Sequence, residues 1–140
     1  MATILIMDDD TDLVSAMRIL LEAEGHVVHA APNGEQGLQL LHDTNPDLII
    51  LDLMMNRYTE GFRVAQLIRD PSETSPHASY RHVPILVLTS IHKTTPHRFG
   101  TGQDSLPVDA FLEKSVPTDR LLETIAELLR KGAGTRARTV

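Results

Sequence analysis

A chain of 140 residues, 41% hydrophobic and 23% charged, has the size and make-up of one soluble globular domain. Its net charge of −6 argues against electrostatic nucleic-acid binding, and the lack of cysteine excludes disulfides, thiol catalysis and thiolate metal sites. No apolar run approaches the roughly 18 residues of a membrane span, so a soluble, cytoplasmic protein is the default expectation.

In chain order, Thr3-Ile4-Leu5-Ile6-Met7 is a short, wholly apolar run that ends in Asp8, Asp9 and Asp10. Such runs, apolar on both alternations, are the habit of strands buried on both faces of a parallel sheet. Leu13, Val14, Met17, Leu20 and Leu21 follow at the spacing of an amphipathic helix, with Asp10 or Thr11 to cap it and Gly25 to close it. His26 to Ala31 reads as a weaker strand at a sheet edge. Asn33 caps a second helix, with Gln36 in capping-box spacing and Leu38 and Leu41 facing inward.

The next run, Asp47-Leu48-Ile49-Ile50-Leu51-Asp52, sits between Pro46 and the loop Asn56–Gly61 and again ends in a carboxylate. Phe62, Val64, Ala65, Leu67 and Ile68 mark a third helix stopped by Asp70-Pro71, and residues 71–82 read as a polar surface insertion. Val83 to Leu88 is a fourth strand, ending in Thr89-Ser90, and Val108 to Leu112 a fifth, followed by Glu113-Lys114. Between them, Thr94 to Pro107 is a poor helix by propensity. Leu121, Leu122, Ile125, Leu128 and Leu129 give a final amphipathic helix begun near Pro117-Thr118. Residues 1–131 are expected to form one domain, and residues 132–140 a short, basic, disordered tail.

This alternation implies an α/β fold: a doubly wound, five-stranded parallel sheet with a degraded fourth helix. Right-handed crossovers then bring every strand's carboxyl end to one rim, where ligands bind in open α/β sheets. That rim collects Asp8, Asp9, Asp52, Thr89 and Lys114. Two like charges about 4 Å apart repel by roughly 4 kcal/mol at an effective dielectric near 20, so the carboxylates call for a cation. Mg²⁺ suits them, because it takes one or two carboxylates and leaves positions for phosphate oxygens. The hydroxyl and the ammonium supply what a phosphoryl group needs on its other side. Taken singly, Asp10 is better explained as a helix cap, and Thr89 or Lys114 as an exposed or locally bonded side chain. The conjunction at the ends of four strands favours function.

Ile4–Asp10, Pro46–Met55, Val83–Ser90 and Val108–Lys114 resemble the receiver domain of two-component response regulators, with strand order 2-1-3-4-5, over about residues 2 to 130. The resemblance implies a stand-alone receiver that is no enzyme beyond its own aspartyl phosphorylation and dephosphorylation. Asp52 would accept a phosphoryl group from a histidine kinase or phosphotransfer protein. Asp8, Asp9, Asp52 and the backbone carbonyl of Met54 would hold Mg²⁺. Thr89 and Lys114 would bind phosphoryl oxygens, and Phe111 would be the switch aromatic for an unidentified downstream protein partner. Neither DNA nor a membrane is an expected partner.

Some positions depart from the family pattern. Ser115 replaces the usual proline after the lysine, so its cis bond would cost about 2.5–4 kcal/mol here. Asn56 replaces another proline, and apolar Met54 and Ile91 flank the family's path for hydrolytic water, which implies slow self-dephosphorylation. A pseudo-receiver that binds protein independently of phosphate is the alternative. An aspartate-nucleophile phosphatase of the haloacid dehalogenase type is disfavoured, since Met54 stands where that family has a second aspartate. The His77/His82 and His92/His97 pairs read as solvated histidines rather than a metal site.

Overall fold

Five wholly or largely apolar runs become five parallel strands in the order β2-β1-β3-β4-β5. The structure, a computed structural model, describes residues 2–53, 60–90 and 108–138, with side chains through residue 132. The strands are β1 (Thr3–Met7), β2 (Val27–Ala31), β3 (Leu48–Leu51), β4 (Ile85–Thr89) and β5 (Ala110–Glu113). Four helices lie among the described residues: α1 (Thr11–Ala23), α2 (Gly34–Thr44), α3 (Glu60–Arg69) and α4 (Thr118–Arg138). The poor helix expected over Thr94 to Pro107 falls outside the described residues, as do Met54 and Ile91.

The period-two alternation of the strands sorts the core into two layers. Leu5, Met7, Ile49, Leu51, Ile85 and Val87 face α2 and α3, packing on Leu41, Val64, Ala65 and Ile68. Ile4, Ile6, Leu48, Ile50, Leu86 and Leu88 face the opposite way, onto Met17 and Leu21 of α1 and Leu121, Ile125 and Leu128 of α4. The caps follow their local chemistry. The Asp10 carboxylate accepts from Leu13 N at 3.1 Å to start α1, and the Asn33 side chain accepts from Gln36 N at 2.8 Å to start α2.

The last helix differs from expectation: it runs through Gly132 to Arg138, where a disordered tail had been expected from residue 132. Gly132 lets the helix lie close to Pro84, since a Cβ there would stand 3.1 Å from the proline ring. Beyond it, Ala133, Arg136, Ala137 and Arg138 are good helix formers, Gly134 and Thr135 are poor ones, and no proline intervenes.

The insertion between α3 and β4 is held by specific contacts. Arg69, at the end of α3, donates to the carbonyls of Arg81 and Val83, both at 2.8 Å, and to Asp109 Oδ2 at 2.6 Å. His77 Nδ1 lies 2.9 Å from His42 Nε2 on α2, and the His42 ring meets Tyr80 edge-on. Burial, and then the neighbouring His42, hold the His77 pKa below its ordinary 6.5. A histidine shifted down in the folded state stabilises docking above its free pKa and loses that contribution as the pH falls below it. The insertion is therefore expected to loosen between about pH 7 and pH 5. Amide exchange at Tyr80, whose N–H donates to the His77 carbonyl at 2.9 Å, should rise over that range after correction for intrinsic rates. Exchange that is flat with pH would refute this latch.

Candidate functional site

Parallel pairing sets the carboxylates side by side before any side-chain contact is considered. Met7 pairs with Leu51, so the next residues, Asp8 and Asp52, leave their strands together. The Asp52 amide donates to the Met7 carbonyl at 2.9 Å, and the Asp8 amide to the Ala31 carbonyl at 3.0 Å. Both aspartates are buried, 5% and 4% exposed, whereas Asp9 is exposed at the rim. On the other side, Thr89 pairs with Glu113, and the next amide, Lys114 N, donates to the Thr89 carbonyl at 2.9 Å. Two pairs of neighbouring strands thus deliver the acidic and the basic halves of one cluster.

Lys114 closes it. Its Nζ stands 3.1 Å from Asp8 Oδ2 and 3.1 Å from Asp52 Oδ2. No cis peptide bond occurs among the described residues, so the Lys114–Ser115 bond is trans and the ammonium still reaches both carboxylates. Asp8 is fixed from the other side by the Asp10 amide, which donates to its Oδ1 at 2.9 Å. Thr89 is fully buried at the end of β4. Phe111 pairs with Val87 and lies half-buried against the layer formed with α2 and α3. Met54 lies outside the described residues.

The electrostatics favour a cation. Burial is the main cause that pushes the Asp8 pKa up, to about 6; the Asp10 amide opposes it, the Asp52 charge adds to it and Lys114 opposes it. Burial works against the Lys114 charge, but Asp52 and Asp8 together hold its pKa above the ordinary value. One ammonium therefore serves a site richer in negative charge. Asp8, Asp9 and Asp52 each offer a carboxylate oxygen, all within 4.8 Å of one another. Such a hard, all-oxygen donor set fits Mg²⁺ rather than a soft metal.

The start of α3 meets the strand end here, where the sequence alone reads as the end of a loop. Gly61 N donates to the Leu53 carbonyl at 3.2 Å. The preceding residue, Glu60, accepts from the Gly34 amide and so caps α2 from α3. A glycine immediately before the apolar-periodic run Phe62, Val64, Ala65, Leu67 and Ile68 is the available signal.

A family model described as the response regulator receiver domain matches residues 4–126. The chain belongs to this family. Among relatives of the receiver, Protein PilH of Pseudomonas aeruginosa is 30% identical over 92% of this chain and 98% of its own length. The transcriptional regulatory protein AfsQ1 of Streptomyces coelicolor is 36% identical over 94% of this chain but only 53% of its own, so the receiver corresponds to about half of that protein. Among solved structures, the response regulator TrrA of Thermotoga maritima, in complex with Mg²⁺-BeF, is 29% identical with a TM-score of 0.73, covering 91% of this chain and 99% of that one. A two-component response regulator from Clostridium difficile shares the fold, with a TM-score of 0.75 at 23% identity over 93% and 97% of the two chains. The flavodoxin-like receiver fold and its strand order are as the sequence implied. No described helix is long and apolar enough to cross a membrane.

Proposed function

We propose that this receiver is a phosphoacceptor: Asp52 takes a phosphoryl group from a histidine kinase or phosphotransfer protein, with Mg²⁺, and signals by protein contact. The observation that carries this reading is Lys114 Nζ set between Asp8 and Asp52, beside carboxylate oxygens that converge within 4.8 Å. Asp8, Asp9 and Asp52 would hold Mg²⁺, with the Met54 carbonyl contributed from the loop. When bound, the ion neutralises charge on the carboxylates and on the transferring group.

The residues divide the remaining work. An Asp52 carboxylate oxygen attacks phosphorus, the bond from phosphorus to the donor breaks, and an acyl phosphate remains on Asp52. Lys114 is already oriented on Asp52 and needs only a small displacement to meet a phosphoryl oxygen, so little reorganisation accompanies the reaction. Thr89, one residue from Lys114 across the β4–β5 ladder, contributes its hydroxyl to another oxygen. Drawing Thr89 toward the phosphoryl group would favour an inward Phe111 by shifting an existing equilibrium, which changes the surface a partner reads. Catalysis extends no further than its own phosphorylation and dephosphorylation. The TrrA complex with Mg²⁺-BeF supports this reading by its likeness.

Incubation with Mg²⁺ and acetyl phosphate, read by intact mass, should add one phosphoryl group. The gain should vanish in Asp52→Ala and in EDTA. A folded protein that gains nothing, or an Asp52→Ala variant that gains as much as the wild type, would overturn the proposal.

A further inference from the structure

Gly61, in the first turn of α3, meets the acidic strand end. A Cβ built on it would overlap the Asp52 carbonyl oxygen and Leu53 Cα, well inside 3.0 Å, a separation real Cβ atoms essentially never show. The atoms in the way are backbone, so no side-chain rotation relieves the overlap. The same turn is tied down twice more, through Gly61 N to the Leu53 carbonyl and through Glu60 to the Gly34 amide. Asp52 is in turn bound by its own amide to Met7 in the neighbouring strand. Asp52 is thus held at its amide by β1 and met at its carbonyl by the first turn of α3.

We infer that Gly61 is a positioning residue for Asp52: its missing side chain lets α3 seat against the Asp52–Leu53 backbone and fix the direction of the carboxylate. The inference rests on the phosphoacceptor reading and deepens it. Any side chain at 61 must move α3 or the strand end by more than about 0.5 Å. A shift of the Asp52 carbonyl turns the residue about its Cα and carries the carboxylate away from Lys114 and from the other metal-binding oxygens. Misplacements of about 1 Å cost on the order of 100-fold in oriented reactions.

The test compares Gly61→Ala with Ile68→Val, which thins the core contact of the same helix two turns from Gly61. Phosphorylation from acetyl phosphate at saturating Mg²⁺, Mg²⁺ affinity and urea stability are measured for each. Gly61→Ala is expected to slow phosphorylation at least about tenfold and to weaken Mg²⁺ binding. Ile68→Val is expected to lose stability while phosphorylating within about twofold of the wild type. Gly61→Ala at the wild-type rate, or equal slowing in both variants, overturns the inference. Should Gly61→Ala fail to fold, a Mg²⁺ titration of the wild type decides: the Gly61 amide signal should shift along the same curve as Asp52, and a stationary signal overturns the inference. A wild type that neither binds Mg²⁺ nor takes up phosphate overturns the phosphoacceptor reading and this inference with it, an outcome separate from a failure confined to Gly61→Ala.

Discussion

Lys114→Ala should lose about 3 kcal/mol of stability at neutral pH without divalent cations, and should be phosphorylated at least about 100-fold more slowly. The loss follows from what remains. Asp8 and Asp52 would stay buried side by side, deprived of the ammonium that stands 3.1 Å from each. Breaking one side of a buried ion pair costs more than the pair contributes, because the surviving charge has no partner. Two conditions should return much of the loss: Mg²⁺, by binding the folded state, and mild acid, by protonating Asp8.

The sign of the pH effect is already set in the unsubstituted protein. Asp8 has a folded pKa of about 6 against an ordinary 3.8, so between those values the folded state binds more protons than the unfolded state. That contribution to stability is full below about pH 4 and is lost as the pH rises through about 6. In Lys114→Ala the upper edge of this window should move to higher pH, because the ammonium that lowers the Asp8 pKa is gone, while its lower edge, set by the unfolded chain, stays near pH 4. Urea titrations at pH 5.5 and 7.5, each in EDTA and in Mg²⁺, check this. A loss equal under all four conditions would mean that Lys114 stabilises by packing alone.

Arg69→Ala should cost about 3 kcal/mol, far from the acidic rim, and shift the urea midpoint by more than about 1 M. The guanidinium joins three segments, through the carbonyls of Arg81 and Val83 and the carboxylate of Asp109. Asp109 also accepts from the Ile85 amide at 2.8 Å, so one carboxylate orders the starts of both β4 and β5. Arg69→Lys should recover little, because an ammonium cannot reproduce the planar fork that serves three acceptors. Phosphorylation of whatever fraction remains folded should be unchanged. A midpoint within about 0.3 M of the wild type would show that solvent screening of the half-exposed Asp109 leaves the pair little to contribute.

The four contiguous apolar runs and the weaker β2 strand, the capping residues Asp10 and Asn33, and the carboxylates at strand ends are local patterns, legible one stretch at a time. Once a parallel sheet is accepted, the handedness of its crossovers puts Asp8, Asp52, Thr89 and Lys114 on one rim with no coordinates needed. Other features depend on residues far apart in the chain. Lys114 and Asp8 meet across 106 positions, and no periodicity states that one ammonium will lie between two carboxylates. Arg69 meets Asp109 across 40 positions, a pairing that no local pattern announces. Gly61 reads as a loop residue because the backbone that excludes a side chain there, at Asp52 and Leu53, comes close only when α3 folds back on the end of β3. The final helix continues past Gly132, which lies close against Pro84, a neighbour distant in the chain that no local pattern names. Propensity and periodicity speak for neighbours along the chain and so determined the elements and the rim. Close packing acts between residues the chain holds apart, and it alone decided which atoms on that rim touch.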